Sequence, residues 1–136
     1  MNKLLILALA VLLLLPSCKN EGTKLVATNI EFSECQIRPR PLTTEMLYHN
    51  NTLRFTHNFL PVDCNYQGVI VTPVIDKENR ILHIDVDPIV VQADLDDCSC
   101  EINVSYEFEN FYKKNELYTI IIAENNEEIY RSEEFL

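Results

Sequence analysis

The sequence predicts an all-β protein: a single antiparallel β-sandwich of about seven strands, immunoglobulin-like in the loose sense that two sheets pack face to face. Three observations lead to this prediction. Apolar and polar residues alternate in several short segments, which places the apolar side chains on one face of a strand. Polar turn residues separate these segments at fairly regular intervals. No long segment carries the apolar period of an amphipathic helix.

The clearest alternation covers residues 98–108, which read CSCEINVSYEF. The even-numbered positions hold cysteine or apolar residues, and the odd-numbered positions hold polar residues. A helix would spread these apolar side chains around its circumference, whereas a strand places them on one face. The stretch therefore predicts a half-buried strand whose core-facing side begins with the thiols of Cys98 and Cys100.

Other segments also have strand character, most by the same alternation, and residues 69–75 and 117–122 because apolar residues occupy both faces. In chain order they are residues 26–32, 52–60, 69–75, 81–86, 89–91, 117–122 and 129–135. Residues 37–44 contain two prolines, which lack an amide donor, so we expect an irregular crossover or edge segment there. The chain has only 2 glycines. Asn and Asp must therefore form most turns, as we expect at Asn125-Asn126.

Residues 1–17 are predicted to be a lipoprotein signal peptide. Lys3 supplies a positive charge, and residues 4–15 form an unbroken apolar run of 12 residues. A transmembrane helix needs about 17 to 25 residues, so this run is too short to span a bilayer. It ends in the sequence LPSC at residues 15–18, which resembles a bacterial lipobox.

The lipobox resemblance implies that Cys18 carries acyl chains and becomes the mature N-terminus. Residues 18–24 then form the lipidated cysteine with a short polar tether, and residues 25–136 form the sandwich domain. Several acyl chains on one cysteine give stable membrane anchoring. Lys19 follows the cysteine where an inner-membrane retention signal would have Asp, so by analogy we expect the outer membrane. Its periplasmic face and the cell surface both remain open.

The chain is acidic, with 21 acidic and 11 basic residues and a formal net charge of −10. Nucleic-acid binding needs Lys and Arg to displace the counterions of phosphate, so this balance argues against a nucleic-acid partner. The acidity could attract cations or a basic partner, but the simpler interpretation is a solvated surface that keeps a small protein soluble.

Four cysteines remain besides Cys18, an even number in a chain predicted to reach an oxidising compartment. We expect two disulfides. A bond between Cys98 and Cys100 fits least, because alternate residues of one strand lie about 6.5 to 7 Å apart at Cα. Each therefore pairs with Cys35 or Cys64. The pairs Cys64–Cys98 and Cys35–Cys100 are only slightly favoured over the crossed alternative.

The combination of a lipobox, a small all-β domain and a Cys-x-Cys that opens a late strand resembles a group of small Bacteroidetes-type lipoproteins. The strand has the form INVSYEF at residues 102–108, and it is followed by LYTI at residues 117–120, a strand entered through tyrosine. The resemblance covers the signal peptide and about the last 40 residues. It implies an envelope lipoprotein but no activity.

No enzyme and no cofactor are predicted. The sequence lacks a nucleophile elbow, a phosphate-binding glycine loop and a His-Glu-x-x-His motif, and an exported cysteine is more often paired than catalytic. One alternative is zinc held by His57, Cys64, Cys98 and Cys100. Another is calcium bound by Asp94, Asp96 and Asp97 together with Asp85 and Asp87. A hydrogen-bonded core histidine and a plain acidic loop are the favoured interpretations, so no metal site is predicted.

Two classes of function fit these observations. The first is a lipid-anchored, non-catalytic binding or accessory module that presents loops or a sheet edge to another envelope protein or to a glycan. The second is a purely structural envelope lipoprotein. A concave patch of exposed aromatic residues would favour the first, and a uniformly polar surface the second. The candidate binding residues are the aromatics in or near loops, Tyr48, Tyr66, Phe111 and Tyr112.

Overall fold

The computed structural model describes residues 24–37, 40–91 and 98–136, which form two β-sheets of four strands each. The strands are β1 (Thr28–Phe32), β2 (Thr43–His49), β3 (Thr52–Asp63), β4 (Tyr66–Asp76), β5 (Ile81–Val90), β6 (Ser99–Phe108), β7 (Leu117–Glu124) and β8 (Glu127–Phe135). The first sheet has the order β1-β6-β3-β2 and the second β4-β5-β7-β8. The predicted β-sandwich is confirmed. Nowhere in these three ranges is there a helix of the length and hydropathy needed to cross a membrane.

The described strands number eight rather than about seven, because residues 43–49 form β2. Residues 37–44 were expected to be an irregular crossover or edge segment, and their last two residues do begin an edge strand, but the continuation of β2 to His49 was not predicted. β2 is an edge strand that pairs with β3 through a hairpin whose turn is Asn50-Asn51. An edge strand buries only part of one face, so its apolar alternation is weak. The same hairpin carries Tyr48 at the end of β2.

Residues 81–86 and 89–91, expected as separate segments, belong to one strand, β5, which ends at Val90. Pro88 lies inside this strand and pairs with Val69 of β4. The pairing of β5 with its other neighbour, β7, stops at Asp85. Beyond that point β5 has hydrogen-bonded neighbours on one side only, so the amide that Pro88 lacks is not needed in the sheet.

The pairing of β5 with β7 is parallel, whereas all other strand pairs among the described residues are antiparallel. The second sheet is therefore mixed, which corrects the expectation of a wholly antiparallel sandwich. The cause is the path of the chain: β6 lies in the first sheet between β5 and β7 in sequence. The chain thus returns to the end where β5 began before it enters β7.

The strand directions define two ends of the sandwich. The cystine end contains residues 33–36, the turn after β3 and the beginning of β6. The aromatic end contains the beginning of β1, the Asn50-Asn51 turn, the turn at residues 77–80 and the loop at residues 109–116. These two ends are separated by the length of the strands.

The core lies between the sheets and follows the predicted alternation from Cys100 to Phe108, but the expectation that Cys98 also faces the core was wrong. Cys100 and the four apolar side chains that follow it at even positions are buried, whereas Cys98 precedes the strand and is exposed. Tyr106 stacks on Phe55 at 5.6 Å between ring centroids and meets Phe108 edge-on, also at 5.6 Å. Burial of such rings supplies much of a small core's stability.

Asparagine forms most of the turns, as the scarcity of glycine predicts. Among the described residues other than glycine, nine have positive φ, and seven of these are asparagine. Asn125-Asn126 is the predicted β7–β8 turn, with φ values of 48° and 65°. Asparagine tolerates this left-handed region better than other side chains do.

Candidate functional site

The cystine end contains both disulfides. Cys35 is bonded to Cys100 and Cys64 to Cys98, with Cα–Cα distances of 5.6 Å and 5.4 Å. The favoured pairing is confirmed, and the crossed alternative is not the one formed. The first bond joins the segment after β1 to β6, and the second joins the β3–β4 turn to the residue before β6. Together they hold three segments at one end of the sandwich.

These bonds also bear on the zinc alternative. The sulfur atoms of Cys35, Cys64 and Cys100 lie within 4.8 Å of one another. A metal binds thiolate, however, and each of these sulfurs belongs to a disulfide. The remaining proposed ligand, His57, has no exposed surface. Its ring nitrogens lie 2.9 Å from the hydroxyls of Thr44 and Tyr106, so His57 is a hydrogen-bonded core residue.

Two sets of predicted residues fall outside the described part of the chain. They are Cys18 with the signal peptide, and the acidic segment 94–97. Nearby carboxylates that are described form an acidic cluster at the cystine end, made of Glu124, Asp87, Glu127 and Asp63. Burial, and then the charges of Asp87, Glu127 and Asp63, raise the pKa of Glu124 to about 7.

The four candidate aromatic residues do not form one patch. Tyr66 lies near the cystine end, where its ring meets Phe32 edge-on at 5.9 Å between centroids and its hydroxyl donates to the carbonyl of Ser33. Phe111 and Tyr112 lie in the loop of the aromatic end. Tyr48 lies beside that loop and supports it. Phe111 and Tyr112 line a common cavity.

The loop at residues 109–116 is held by contacts with the β2–β3 hairpin. The amide of Phe111 donates to the carbonyl of Asn51 at 2.8 Å. The hydroxyl of Tyr48 donates to the carbonyl of Phe111 at 3.0 Å. The ammonium group of Lys113 lies 4.5 Å from the centre of the Tyr48 ring, a cation–π contact. These contacts hold the loop backbone in place beside the exposed side chain of Tyr112.

The cavity beside this loop has a volume of about 280 Å³. Phe111 and Tyr118, both buried, contribute to its apolar lining, and Tyr112 is 67% exposed. Lys77, from the turn after β4, and Lys114, from the loop, complete its polar part. Apolar pockets with a few convergent polar groups are the usual form of a ligand site.

The charge of this cavity differs from the charge of the chain. Its lining contains two lysines and no acidic side chain, although acidic residues outnumber basic ones 21 to 11 in the whole sequence. Neither Lys77 nor Lys114 forms an ion pair with a carboxylate of the described residues. An apolar lining beside two ammonium groups suits an anionic group attached to an apolar body.

Comparison with protein-family models, curated proteins and solved structures finds no match to this chain. The geometry of the cavity must therefore carry the functional argument. The sequence indicated Phe111 and Tyr112 as candidate binding residues, but it did not indicate Lys77, Lys114 or Tyr118. The run of Lys113-Lys114 directly after the two aromatics was a usable signal. No sequence signal indicated Lys77, because only the packing of the two sheets brings it to the loop.

Proposed function

We propose that this protein is a lipid-anchored, non-catalytic binding module of the bacterial envelope. Acyl chains on Cys18 would hold it in the outer membrane, as the lipobox and the likeness to Bacteroidetes-type lipoproteins imply. The cavity at the aromatic end would take an envelope component that carries an anionic group beside an apolar surface. No nucleic acid and no cofactor enter this proposal.

The observation that carries the binding proposal is the cavity itself, in which Phe111 and Tyr112 lie with two lysines. The loop that presents them is fixed by Tyr48 and Asn51. A fixed loop loses little conformational entropy when a ligand binds, which favours affinity. The non-catalytic part of the proposal is supported by the engagement of the four described cysteines in disulfides and by the burial of His57.

A purely structural role is the second candidate, and the outer face of the first sheet favours it. There Arg54 contacts Ser105 at 3.2 Å and Glu107 at 3.4 Å. Asn29 donates to Glu107 at 2.7 Å. These polar groups hydrogen-bond to one another across β1, β3 and β6. They therefore leave few groups to bind a ligand. The binding proposal therefore rests on the aromatic end and not on this face.

The anchor is tested by feeding cells a labelled fatty acid and comparing the wild-type protein with Cys18→Ala. We expect label on the wild-type protein only. Equal label on both proteins would overturn the anchor.

The site is tested with a photo-cross-linking residue in place of Tyr112, and in place of Gln67 at the cystine end as a matched exposed control. We expect one defined adduct from position 112, lost when Lys77→Glu and Lys114→Glu are added. The same adduct from position 67, or its survival in the charge-reversed variant, would contradict the site.

A further inference from the structure

The described chain begins at the aromatic end. Thr28, the first residue of β1, pairs with Glu107 near the end of β6, and the loop of the aromatic end follows directly after β6. Leu25 and Ala27 pack against the core, so the path of the chain is fixed from about residue 25. Lys24, the first described residue, therefore lies at the aromatic end.

The length of the chain before this point limits how far the aromatic end can lie from a membrane. Six residues separate Cys18 from Leu25. A fully extended chain spans at most about 3.5 Å per residue, so the lipidated cysteine and the domain lie within about 25 Å of each other. The cystine end lies farther from Leu25 by the length of the strands, about 30 to 40 Å for strands of this size.

The aromatic end carries the side chains that suit a membrane surface. Tyr112 is 67% exposed, Phe135 is 63% exposed and Leu117 is 41% exposed. Lys77 and Lys114 lie beside Tyr112 in the cavity. Tyrosine and lysine at the headgroup level place an apolar body in the interface and a polar tip in water.

The cystine end also exposes apolar side chains, among them Ile37 and Val91, but it differs in its acidic residues. The acidic cluster of Asp63, Asp87, Glu124 and Glu127 lies at the cystine end. An anionic membrane surface repels such a cluster and attracts Lys77 and Lys114 beside the cavity, although Glu109 and Glu116 lie in the same loop as Lys114. The charge of the cavity lining and the tether length therefore favour the same orientation.

We propose that the aromatic end seats on the bilayer and that Lys77 and Lys114 bind the phosphate of an anionic phospholipid headgroup in the cavity. This inference rests on the proposed anchor at Cys18 and names the ligand of the proposed site. Tyr112 then lies at the interface, and the disulfide-linked end points away from the membrane.

The absence of tryptophan from the sequence allows a sharp test. The lipidated protein is reconstituted into vesicles with brominated acyl chains, carrying either Tyr112→Trp or the control Gln67→Trp. We expect bromine to quench the tryptophan at position 112 and not the one at position 67. Quenching at position 67 alone, or at neither position, would overturn the proposed seating.

Headgroup recognition is tested in the Tyr112→Trp protein by comparing vesicles with and without phosphatidylglycerol. Each lysine near an anionic surface strengthens binding about 5-fold. We expect Lys114→Glu to weaken the seated state by at least that factor. Arg131→Glu on β8 makes the same change in net charge outside the cavity and should leave quenching unchanged. Equal quenching in neutral vesicles, or equal effects of the two substitutions, would overturn the phosphate site.

Failure of the anchor and failure of the seating give different results. A wild-type protein without fatty-acid label would refute the anchor. A labelled protein whose tryptophan at position 112 is not quenched would refute the seating alone. Circular dichroism of every variant checks that it is folded, so that a loss of quenching reports on the surface.

Discussion

His57 and Tyr106 share a hydrogen bond in the middle of the core, where Nε2 of the imidazole lies 2.9 Å from the tyrosine hydroxyl. Neither side chain has exposed surface. The other ring nitrogen lies 2.9 Å from the hydroxyl of Thr44. A neutral imidazole has one donor and one acceptor nitrogen, so it can satisfy both hydroxyls. The neutral form is thus the one that the core accommodates.

The first prediction concerns the pH dependence that follows from His57. Burial lowers the pKa of His57 to about 4 from its usual 6.5. Because the pKa of His57 is lower in the folded state, the stability that depends on its neutral form is fully present above pH 6.5. That stability is lost as the pH falls toward 4. We expect a loss of about 3 kcal/mol in the free energy of unfolding over this range. Urea denaturation of wild-type protein and His57→Leu measures it; a loss of the same size in the variant would contradict the assignment.

The second prediction concerns the hydroxyl of Tyr106. Tyr106→Phe removes the partner of His57 and leaves a buried ring nitrogen unsatisfied, which costs about 1 to 3 kcal/mol of stability. Tyr118→Phe is the matched control, because the hydroxyl of Tyr118 has no hydrogen-bond partner among the described residues. We expect the control to change stability by less than about 0.5 kcal/mol. Equal midpoints for the two variants in urea would refute the role of the buried hydrogen bond.

The third prediction compares the two disulfides. Loop-closure entropy gives a stabilisation of about 4 kcal/mol for each bond, and the Cys35–Cys100 bond closes the longer loop, with a sequence separation of 65 against 34. Cys100 is also buried in the core, whereas Cys98 is exposed. We expect the double variant Cys35→Ala/Cys100→Ala to be less stable than Cys64→Ala/Cys98→Ala. Urea denaturation gives the order, and the reverse order would count against this argument.

The pairing itself has an independent check. Non-reducing peptide mapping of the wild-type protein should recover Cys35 linked to Cys100 and Cys64 linked to Cys98. Free thiols at these positions, or crossed peptides, would contradict the arrangement of the cystine end.

The fourth prediction concerns Glu124. The pKa of Glu124 in the folded protein, about 7, lies above the usual 4.5. The stability that depends on its protonated carboxyl group is therefore fully present below pH 4.5 and is lost as the pH rises through 7. Because the side chain is only partly buried, solvent screening limits the effect to about 1 to 2 kcal/mol. We expect Glu124→Gln to be more stable than wild type by this amount at pH 8. Glu133→Gln, an exposed control, should match wild type, and equal behaviour of the two variants would refute the prediction.

The strands that could be predicted from sequence are those that bury one face fully. Residues 100–108 alternate because one side faces the core, whereas the side chains of the other side, except Ser105, are less buried. β2 escaped prediction because, as an edge strand, it exposes Leu47 and so breaks the alternation. Asn50-Asn51 between Tyr48 and Leu53 was the signal that could have identified the hairpin. The parallel pairing of β5 with β7 depends on how the chain crosses between sheets, which local periodicity does not encode.

The candidate site was predictable only in part, for a similar reason. Phe111 and Tyr112 stand out as aromatics in a polar connection. Lys77 is separated from Tyr112 by 35 residues in the chain, and only the packing of the two sheets brings them to one cavity. The disulfides were easier to predict, because Cα atoms about 6.5 to 7 Å apart on one strand are too far apart for an unstrained bond between Cys98 and Cys100.

The Cys35–Cys100 bond has a mechanical consequence. Tension applied from the N-terminal side loads the hydrogen bonds between β1 and β6 in shear. If these hydrogen bonds break, the chain can extend only as far as Cys35, because that residue is bonded covalently to Cys100 of β6. Residues 24–35 would then extend to about 40 Å, while the strands beyond the bond carry the load through a covalent link.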